Sequence, residues 1–146
     1  MKPAAFFFRT FLLALFTLSL LGGAIFTDYY LRHEVTRKAK RFLAEREIPL
    51  TPASTLEAAT KGDIFVLEQL ELAGVGSGLP DERGHTPLLA AVKAGNENVI
   101  QFLLAREGTV KSINVMTQPE RETAIGVALR ERNFALADRF IEKGAA

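Results

Sequence analysis

Apolar residues recur at helical spacing in two adjacent segments near the middle of the chain. In the first segment, residues 87–94, one helical face contains Leu88, Ala91 and Val92. The second segment carries a denser apolar stripe, made of Val99, Ile100, Leu103 and Leu104. Gly95-Asn96 separates the two, and both residue types tolerate the left-handed conformation that ends helices. The pattern therefore predicts two short helices joined by a tight break, with Gly108 closing the second.

The start of the first helix is marked by three residues. Thr86 is a good N-cap, because its hydroxyl can accept a hydrogen bond from a free backbone N–H. Pro87 suits the first helical position, where no N–H is needed. Gly84 can supply the positive φ of a tight turn ahead of the cap. The segment thus predicts a turn, a helix, a break and a second helix in that order.

This unit, with its Gly84-His85-Thr86-Pro87-Leu88 start, resembles an ankyrin repeat. A related pattern lies upstream in residues 55–74, where Gly62 precedes Gly95 by 33 residues, the ankyrin period. Another lies downstream, where Thr123 follows Thr86 by 37 residues. We expect the additional residues to form an extended loop from Val110 to Gln118. The resemblance implies an all-α solenoid of about three repeats over residues 52–146.

The outer two repeats depart from the pattern. The first has Ala53-Ser54-Thr55 where Thr-Pro-Leu would start, and its Leu56-Glu57-Ala58-Ala59 run resembles an N-terminal capping repeat. The third has Arg121 in place of the turn glycine, Ala124 in place of proline and Arg132 in place of the glycine that ends the helix. We expect Asn133 to take over the left-handed position.

Residues 10–27 contain no charged side chain and follow a short basic tail, residues 1–9. Eighteen helical residues span about 27 Å, close to the thickness of a bilayer core. This pattern predicts a transmembrane helix or signal-anchor. The alternative is a signal peptide cleaved near Gly22-Gly23-Ala24, which would remove residues 1–24 and leave a secreted or periplasmic binder.

Residues 28–51 are predicted to form a basic juxtamembrane helix and a proline-containing linker. One helical stripe contains Leu31, Val35, Ala39 and Phe42. The helix either lies on the membrane or continues from it as an ordinary solvated helix. The linker is placed at residues 48–52, where Pro49 and Pro52 limit helix formation.

Charge is unevenly distributed. Residues 52–146 carry ten Lys/Arg against thirteen Asp/Glu, and residues 1–51 carry eight against four. A slightly acidic repeat region does not favour nucleic-acid binding. More Lys/Arg follow the apolar segment than precede it, so the positive-inside rule favours a single-pass membrane protein with cytoplasmic repeats. An N-terminal apolar segment with a basic start favours export instead, so both orientations stay open.

No motif for catalysis is evident. The chain has no Cys and only two His, His33 and His85, neither of which has neighbours that complete a metal site or a proton relay. No glycine-rich loop resembles a phosphate cradle. We therefore expect no enzyme activity, no cofactor, no metal and no small-molecule substrate.

The resemblance implies binding of a protein partner, which the sequence does not identify, through turn tips and the exposed sides of the first helices. Carried onto this sequence, the protein-binding candidates are Lys61, Glu82, Arg83, His85, Lys93, Glu122, Arg130 and Glu131. The expected function is a membrane-tethered, non-catalytic interaction module, with the membrane contact made by residues 10–27. The alternative is a structural membrane protein that acts by helix self-association, for which Ser19 and Gly23 form a small-residue pair, or by lipid contact.

Overall fold

The computed structural model describes residue 27 and residues 29–145, and this part of the chain is helical and contains no strand. The predicted membrane-spanning segment, residues 10–27, lies outside the described residues except for its last position. Of the helices that are described, none combines the length and the apolar character needed to cross a bilayer.

The chain divides into two compact units, Met1–Arg37 and Lys38–Ala146. In the described part they contain α1 (residues 29–45), α2 (Pro52–Lys61), α3 (Ile64–Leu72), α4 (Pro87–Ala94), α5 (Glu97–Leu104), α6 (Glu107–Lys111), α7 (Ala124–Arg130) and α8 (Phe134–Glu142). The first unit shows local contacts along α1, among them an ion pair of 2.7 Å between Arg37 and Glu34. The second unit contains the repeats.

The middle repeat forms as its sequence predicts. The Thr86 hydroxyl accepts a hydrogen bond from the Leu89 N–H at 3.2 Å, and Pro87 begins α4. Gly95 adopts φ +69° and ends the helix. Gly84 has φ +82°, and a Cβ on it would come within 2.6 Å of the Met116 carbonyl oxygen, so both the turn and the neighbouring chain require glycine here.

The first repeat begins earlier than expected. Thr51 and Pro52, which were predicted to belong to the linker, occupy the N-cap and first helical positions of α2. Thr51 lies two residues further from Gly62 than Thr86 lies from Gly95, so α2 has ten residues where α4 has eight. The placement of the motif start at Ala53-Ser54-Thr55 was therefore wrong, because the longer helix displaces the Thr-Pro pair from the expected spacing.

In the third repeat two arginines take the left-handed positions themselves. Arg121 has φ +55° and Arg132 has φ +59°. The expectation that Asn133 would take over this conformation was wrong: Asn133 has φ −85° and acts as the N-cap of α8, where its side chain accepts a hydrogen bond from the Leu136 N–H. In this chain Asn or Asp is therefore the N-cap of each second helix, and the residue before it adopts the positive φ that ends the first helix.

The segment between the second and third repeats is partly helical. The predicted closure of α5 at Gly108 was wrong, because α5 ends at Leu104 and Gly108 lies inside α6. The predicted extended loop from Val110 was also wrong at its start, since Val110 and Lys111 belong to α6. The backbone at Gly108 passes close to Gly78, where an added Cβ would lie 2.1 Å from the Gly108 carbonyl oxygen, so glycine is required at position 78.

Small residues allow the first helices to pack against each other, α2 against α4 and α4 against α7. Ala58, Ala91 and Ala128 occupy equivalent positions on these helices and are all buried. Larger apolar residues of the second helices complete a core that runs through all three repeats, and its fully buried members include Leu67, Ile100, Leu103 and Phe140. Polar contacts join the repeats as well, since the Asn96 amide donates to the carbonyls of Ala59 and Thr60.

The C-terminal part of α1 packs on the first repeat. Ala39 and Leu43 are buried in a cluster with Leu70, Ala73 and Val75 of α3 and the residues that follow it. The chain leaves α1 as it leaves α3 and α8, with a backbone bond from Ile48 N–H to the Leu43 carbonyl like that from Val75 to Leu70. This part of α1 thus occupies the place of a second helix from a preceding repeat. The predicted apolar stripe held at Ala39 and Phe42, whereas Leu31 and Val35 are exposed.

Substitution of Arg132 by glycine should stabilise the protein. A side chain in the left-handed region costs about 1 to 2 kcal/mol, and the greater chain entropy of glycine offsets about half of that. We expect a gain of about 0.5 to 1 kcal/mol in the free energy of unfolding, measured by urea denaturation. Glu131→Gly is the matched control, because Glu131 has φ −82°. Equal effects of the two substitutions on the free energy of unfolding would contradict the left-handed conformation of Arg132.

Truncation of Leu43 tests the packing of α1. Leu43→Ala removes a fully buried side chain and should destabilise the protein by about 2 to 4 kcal/mol. Leu31→Ala, at an exposed position of the same helix, should change the free energy of unfolding by less than about 0.5 kcal/mol. A Leu43→Ala variant as stable as Leu31→Ala would show that α1 does not belong to the repeat fold.

Candidate protein-binding surface

A groove of about 450 Å³ runs across the exposed side of the first helices. We call this surface the inner groove, and its lining residues are Leu56, Thr60, Asp81, His85, Leu89, Ala90, Lys93 and Ala94. Most of its lining surface is apolar, and the apolar lining consists of Leu56 from α2 and Leu89, Ala90 and Ala94 from α4. The polar part of the lining includes Asp81 and His85, from the loop before α4. A mostly apolar lining with a few placed polar groups is the usual character of a binding cleft.

The Asp81 carboxylate holds the loop before α4 in shape. It accepts hydrogen bonds from the backbone N–H groups of Arg83 and His85 at 2.9 and 2.8 Å. The His85 Nδ1 lies 3.0 Å from its second oxygen. Partial burial raises the pKa of Asp81, but the hydrogen bonds from His85 and Arg83 outweigh it and hold the pKa below its usual value. The loop therefore presents His85 to the inner groove in a fixed orientation.

Glu122 binds two of the predicted cations at once. Its carboxylate oxygens lie 2.5 Å from Lys93 Nζ of α4 and 2.5 Å from Arg130 Nη1 of α7. Hydrogen bonds from Lys93 first, and then from Arg130, lower the pKa of Glu122 to about 2, and the same contact raises the pKa of Arg130. These three residues form what we call the Glu122 cluster. It joins the second repeat to the third, and its Lys93 also lines the inner groove.

The structure brings together only some of the eight predicted site residues. His85 and Lys93 line the inner groove, and Glu122 and Arg130 adjoin it through Lys93. Glu131 follows Arg130 and caps α7. Glu82 and Arg83 lie at the loop tip, in a separate hollow with Thr51, Pro52 and Ala53.

Lys61 does not line the same surface as the other predicted site residues. It pairs with Glu57 at 2.5 Å and lines a different, smaller cavity with Ile48, Asp63 and Val66. The residue before it, Thr60, is the one that lines the inner groove. One residue along a helix turns the side chain by about 100°, which moves Lys61 away from the surface that Lys93 occupies.

Sequence reasoning missed the apolar lining of the inner groove. Leu56, Ala90 and Ala94 were not candidates, because an apolar residue on a helix is first assigned to the core. A signal was present: Ala90 and Ala94 lie outside the stripe of Leu88, Ala91 and Val92. Two small apolar residues outside the stripe of α4 would have indicated the groove.

The described residues contain no group of three or more His, Asp and Glu side chains able to hold a metal ion. The lining of the inner groove includes one His–Asp pair, His85 and Asp81.

The family comparison agrees with this architecture. The model for ankyrin repeats matches residues 56–146 in three copies, which is more than half of the chain. The protein belongs to the ankyrin repeat family, whose members are typically non-catalytic modules for protein–protein interaction. The search of curated proteins found no match.

The pKa of Glu122 should depend on Lys93. In the folded protein we expect a value near 2, measured by NMR titration of the side-chain carboxyl. Because this pKa lies below the ordinary value of 4.5, the cluster should stabilise the fold above about pH 4.5 and lose this effect as the pH falls through 2. Lys93→Met should raise the pKa towards 4.5, whereas Lys61→Met should leave it unchanged. A Glu122 pKa near 4.5 in the unmodified protein would rule out the cluster.

Proposed function

We propose that this protein is a membrane-tethered, non-catalytic ankyrin module that binds a segment of a partner protein in the inner groove. The observation that carries the proposal is the groove itself, whose lining is mostly apolar and includes Leu56 and Ala90 beside a few polar groups. A partner side chain placed against the apolar lining would bury apolar surface on both molecules. Thr60 and His85 could then give direction through hydrogen bonds.

The charges around the groove favour moderate affinity. Lys93 and Arg130 are already satisfied by Glu122, so a partner carboxylate would have to displace that group to use them. Exposed ion pairs contribute little to affinity, and exchange of one carboxylate for another contributes less. We therefore assign the binding energy to the apolar lining and the role of orientation to Thr60 and His85. Charge reversal at Lys93 or Arg130 would disturb the repeat contact as well as binding.

The tether is proposed from the sequence. Residues 10–27 are uncharged and long enough for a bilayer core, and six Lys/Arg follow them within about twenty residues. The positive-inside rule also favours a cytoplasmic repeat domain. The signal-peptide alternative predicts a shorter mature chain, so the anchored and the cleaved protein differ in the mass of the mature chain, which can be measured.

A photoreactive amino acid placed in the inner groove should trap the partner in living cells. Position 94 in α4 is suitable because Ala94 is exposed and lines the groove. We expect a discrete covalent adduct from this position. A probe at position 101 in α5, which is exposed but outside the groove, should give at least tenfold less.

The second experiment blocks the groove at Ala90, which is half-buried and packs against the core, so retention of the helical circular dichroism is the check that the fold is intact. Ala90→Arg places a long side chain over the apolar lining, and we expect it to reduce the adduct at position 94 by tenfold or more. Gln101→Arg adds the same charge on α5 and should leave the adduct unchanged. An adduct that forms equally at both probe positions, or that survives Ala90→Arg, would contradict binding in the groove.

The tether is tested by fractionation with mass analysis of the N-terminus. We expect the full chain to remain in the membrane fraction after alkaline carbonate washing, with residues 1–27 retained, and a chain lacking these residues to be released. Loss of residues 1–24 from the mature protein would contradict the anchor and support a secreted binder.

A further inference from the structure

The Asp81 carboxylate decides which nitrogen of His85 carries the proton when the imidazole is neutral. His85 Nδ1 lies 3.0 Å from one carboxylate oxygen, and the other oxygen accepts the backbone N–H groups of Arg83 and His85. An ionised carboxylate only accepts hydrogen bonds, so Nδ1 has to donate. A neutral imidazole carries one N–H, and neutral His85 is therefore the Nδ1–H tautomer, with a lone pair on Nε2.

The Nε2 atom of His85 is accessible to a bound molecule. In the part of the chain that the structure describes, the only side-chain partner of the imidazole is Asp81. Among the same residues, the one buried side-chain polar atom that lacks a partner is the Thr109 hydroxyl, so Nε2 is not buried. Because His85 lines the inner groove, its lone pair is available to a segment that binds there.

The other polar side chains of the groove lining already have partners. The Thr60 hydroxyl donates to the Leu56 carbonyl at 2.8 Å, which leaves its oxygen as an acceptor. Lys93 is a donor, but its ammonium binds Glu122 at 2.5 Å. Across the described residues, His85 Nε2 and Thr60 Oγ1 are thus two acceptors of the lining that receive no hydrogen bond. A segment that fits this surface has to supply donors.

The charges around the inner groove favour a neutral donor over a cation. The lining and the Glu122 cluster together contain two anions and two cations, which are Asp81, Glu122, Lys93 and Arg130. Both carboxylates are already bound, so an incoming Lys or Arg would lose hydration against a mostly apolar lining without gaining an open anion. A hydroxyl or an amide N–H loses much less hydration at the same place.

We propose that the inner groove selects partner segments that place a neutral hydrogen-bond donor, a hydroxyl or an amide N–H, on His85 Nε2 beside an apolar side chain. This inference rests on the proposed binding in the inner groove and adds the chemistry that the groove recognises. A carboxylate at the same place would bring two acceptors together and leave both without a donor, so the groove discriminates against Asp and Glu. His85 thus determines specificity, and the apolar lining supplies the affinity.

The tautomer of His85 can be measured without any partner. His33→Gln leaves His85 as the only histidine of the chain. Nitrogen chemical shifts of the ring, recorded by NMR on the full chain in detergent micelles at a pH that leaves the imidazole neutral, distinguish the two tautomers. We expect the Nδ1–H form to predominate. Asp81→Ala should reduce its population, whereas Glu82→Ala in the same loop should not. A neutral His85 in the Nε2–H form would overturn the proposal.

Short displayed peptides of random sequence test the chemistry that the groove recognises. They are selected on the full chain in detergent micelles, and those that no longer bind the Ala90→Arg variant are kept as groove peptides. We expect the groove peptides to carry Ser, Thr, Asn or Gln beside a large apolar residue. Asp and Glu should occur in them at least threefold less often than in the starting library.

Two substitutions of His85 separate its role from that of the groove. His85→Asn keeps a donor for Asp81 but lacks the Nε2 acceptor, so groove peptides should bind at least tenfold more weakly. His85→Gln has a carbonyl that can replace this acceptor, and it should weaken binding by less than about threefold. Groove peptides enriched in Asp or Glu, or equal affinity for the unmodified protein and His85→Asn, would overturn the assignment of His85.

Failure of the groove itself gives a different result. Selected peptides that all bind the Ala90→Arg variant as well as the unmodified protein would contradict the inner groove as the binding site, and the proposal with it. The tautomer of His85 would be unaffected in that case, so the two failures are distinguishable.

Discussion

The close approach of the first helices is the contact on which the rest of the structure depends. Ala58, Ala91 and Ala128 leave room for α2, α4 and α7 to lie side by side, and the second helices then pack behind them in one continuous core. The tight breaks at Gly62, Gly95 and Arg132 return the chain so that each pair repeats the one before it. A larger side chain in this column would separate the repeats and also deform the inner groove, which lies along the same helices.

Packing of α1 on the first repeat has a consequence for function. The C-terminal part of α1 is part of the repeat core through Ala39 and Leu43, and is therefore not a free linker. The inner groove is shaped by a unit that begins near residue 38 and not at residue 52. A membrane anchor at residues 10–27, as we propose, would therefore lie close in sequence to the start of this folded unit.

Much of the middle repeat could be predicted from the sequence, because Thr86, Pro87 and Gly95 have strong and independent conformational preferences. The outer repeats were harder for physical reasons. Arg121 and Arg132 show no preference for positive φ, and only the surrounding packing imposes it. The Thr51-Pro52 pair was missed because α2 is longer than α4, which moves the pair away from the spacing that the middle repeat predicts. The apolar stripe of α1 indicates that this helix packs on another surface, but it does not indicate which surface. For the site, Lys93 and Glu122 were both predicted, but their ion pair joins residues 29 positions apart, which no local pattern reveals.

The central claim is that one cooperative unit, starting in α1 and including all three repeats, presents the inner groove. Native-state hydrogen exchange of the full chain tests this most directly. The account predicts that amides of α1 at residues 39–45 open together with those of α3 and α4, with similar free energies of opening. Rapid exchange in α1 beside protected amides in α3 would contradict it, and would return residues 38–51 to the role of a linker.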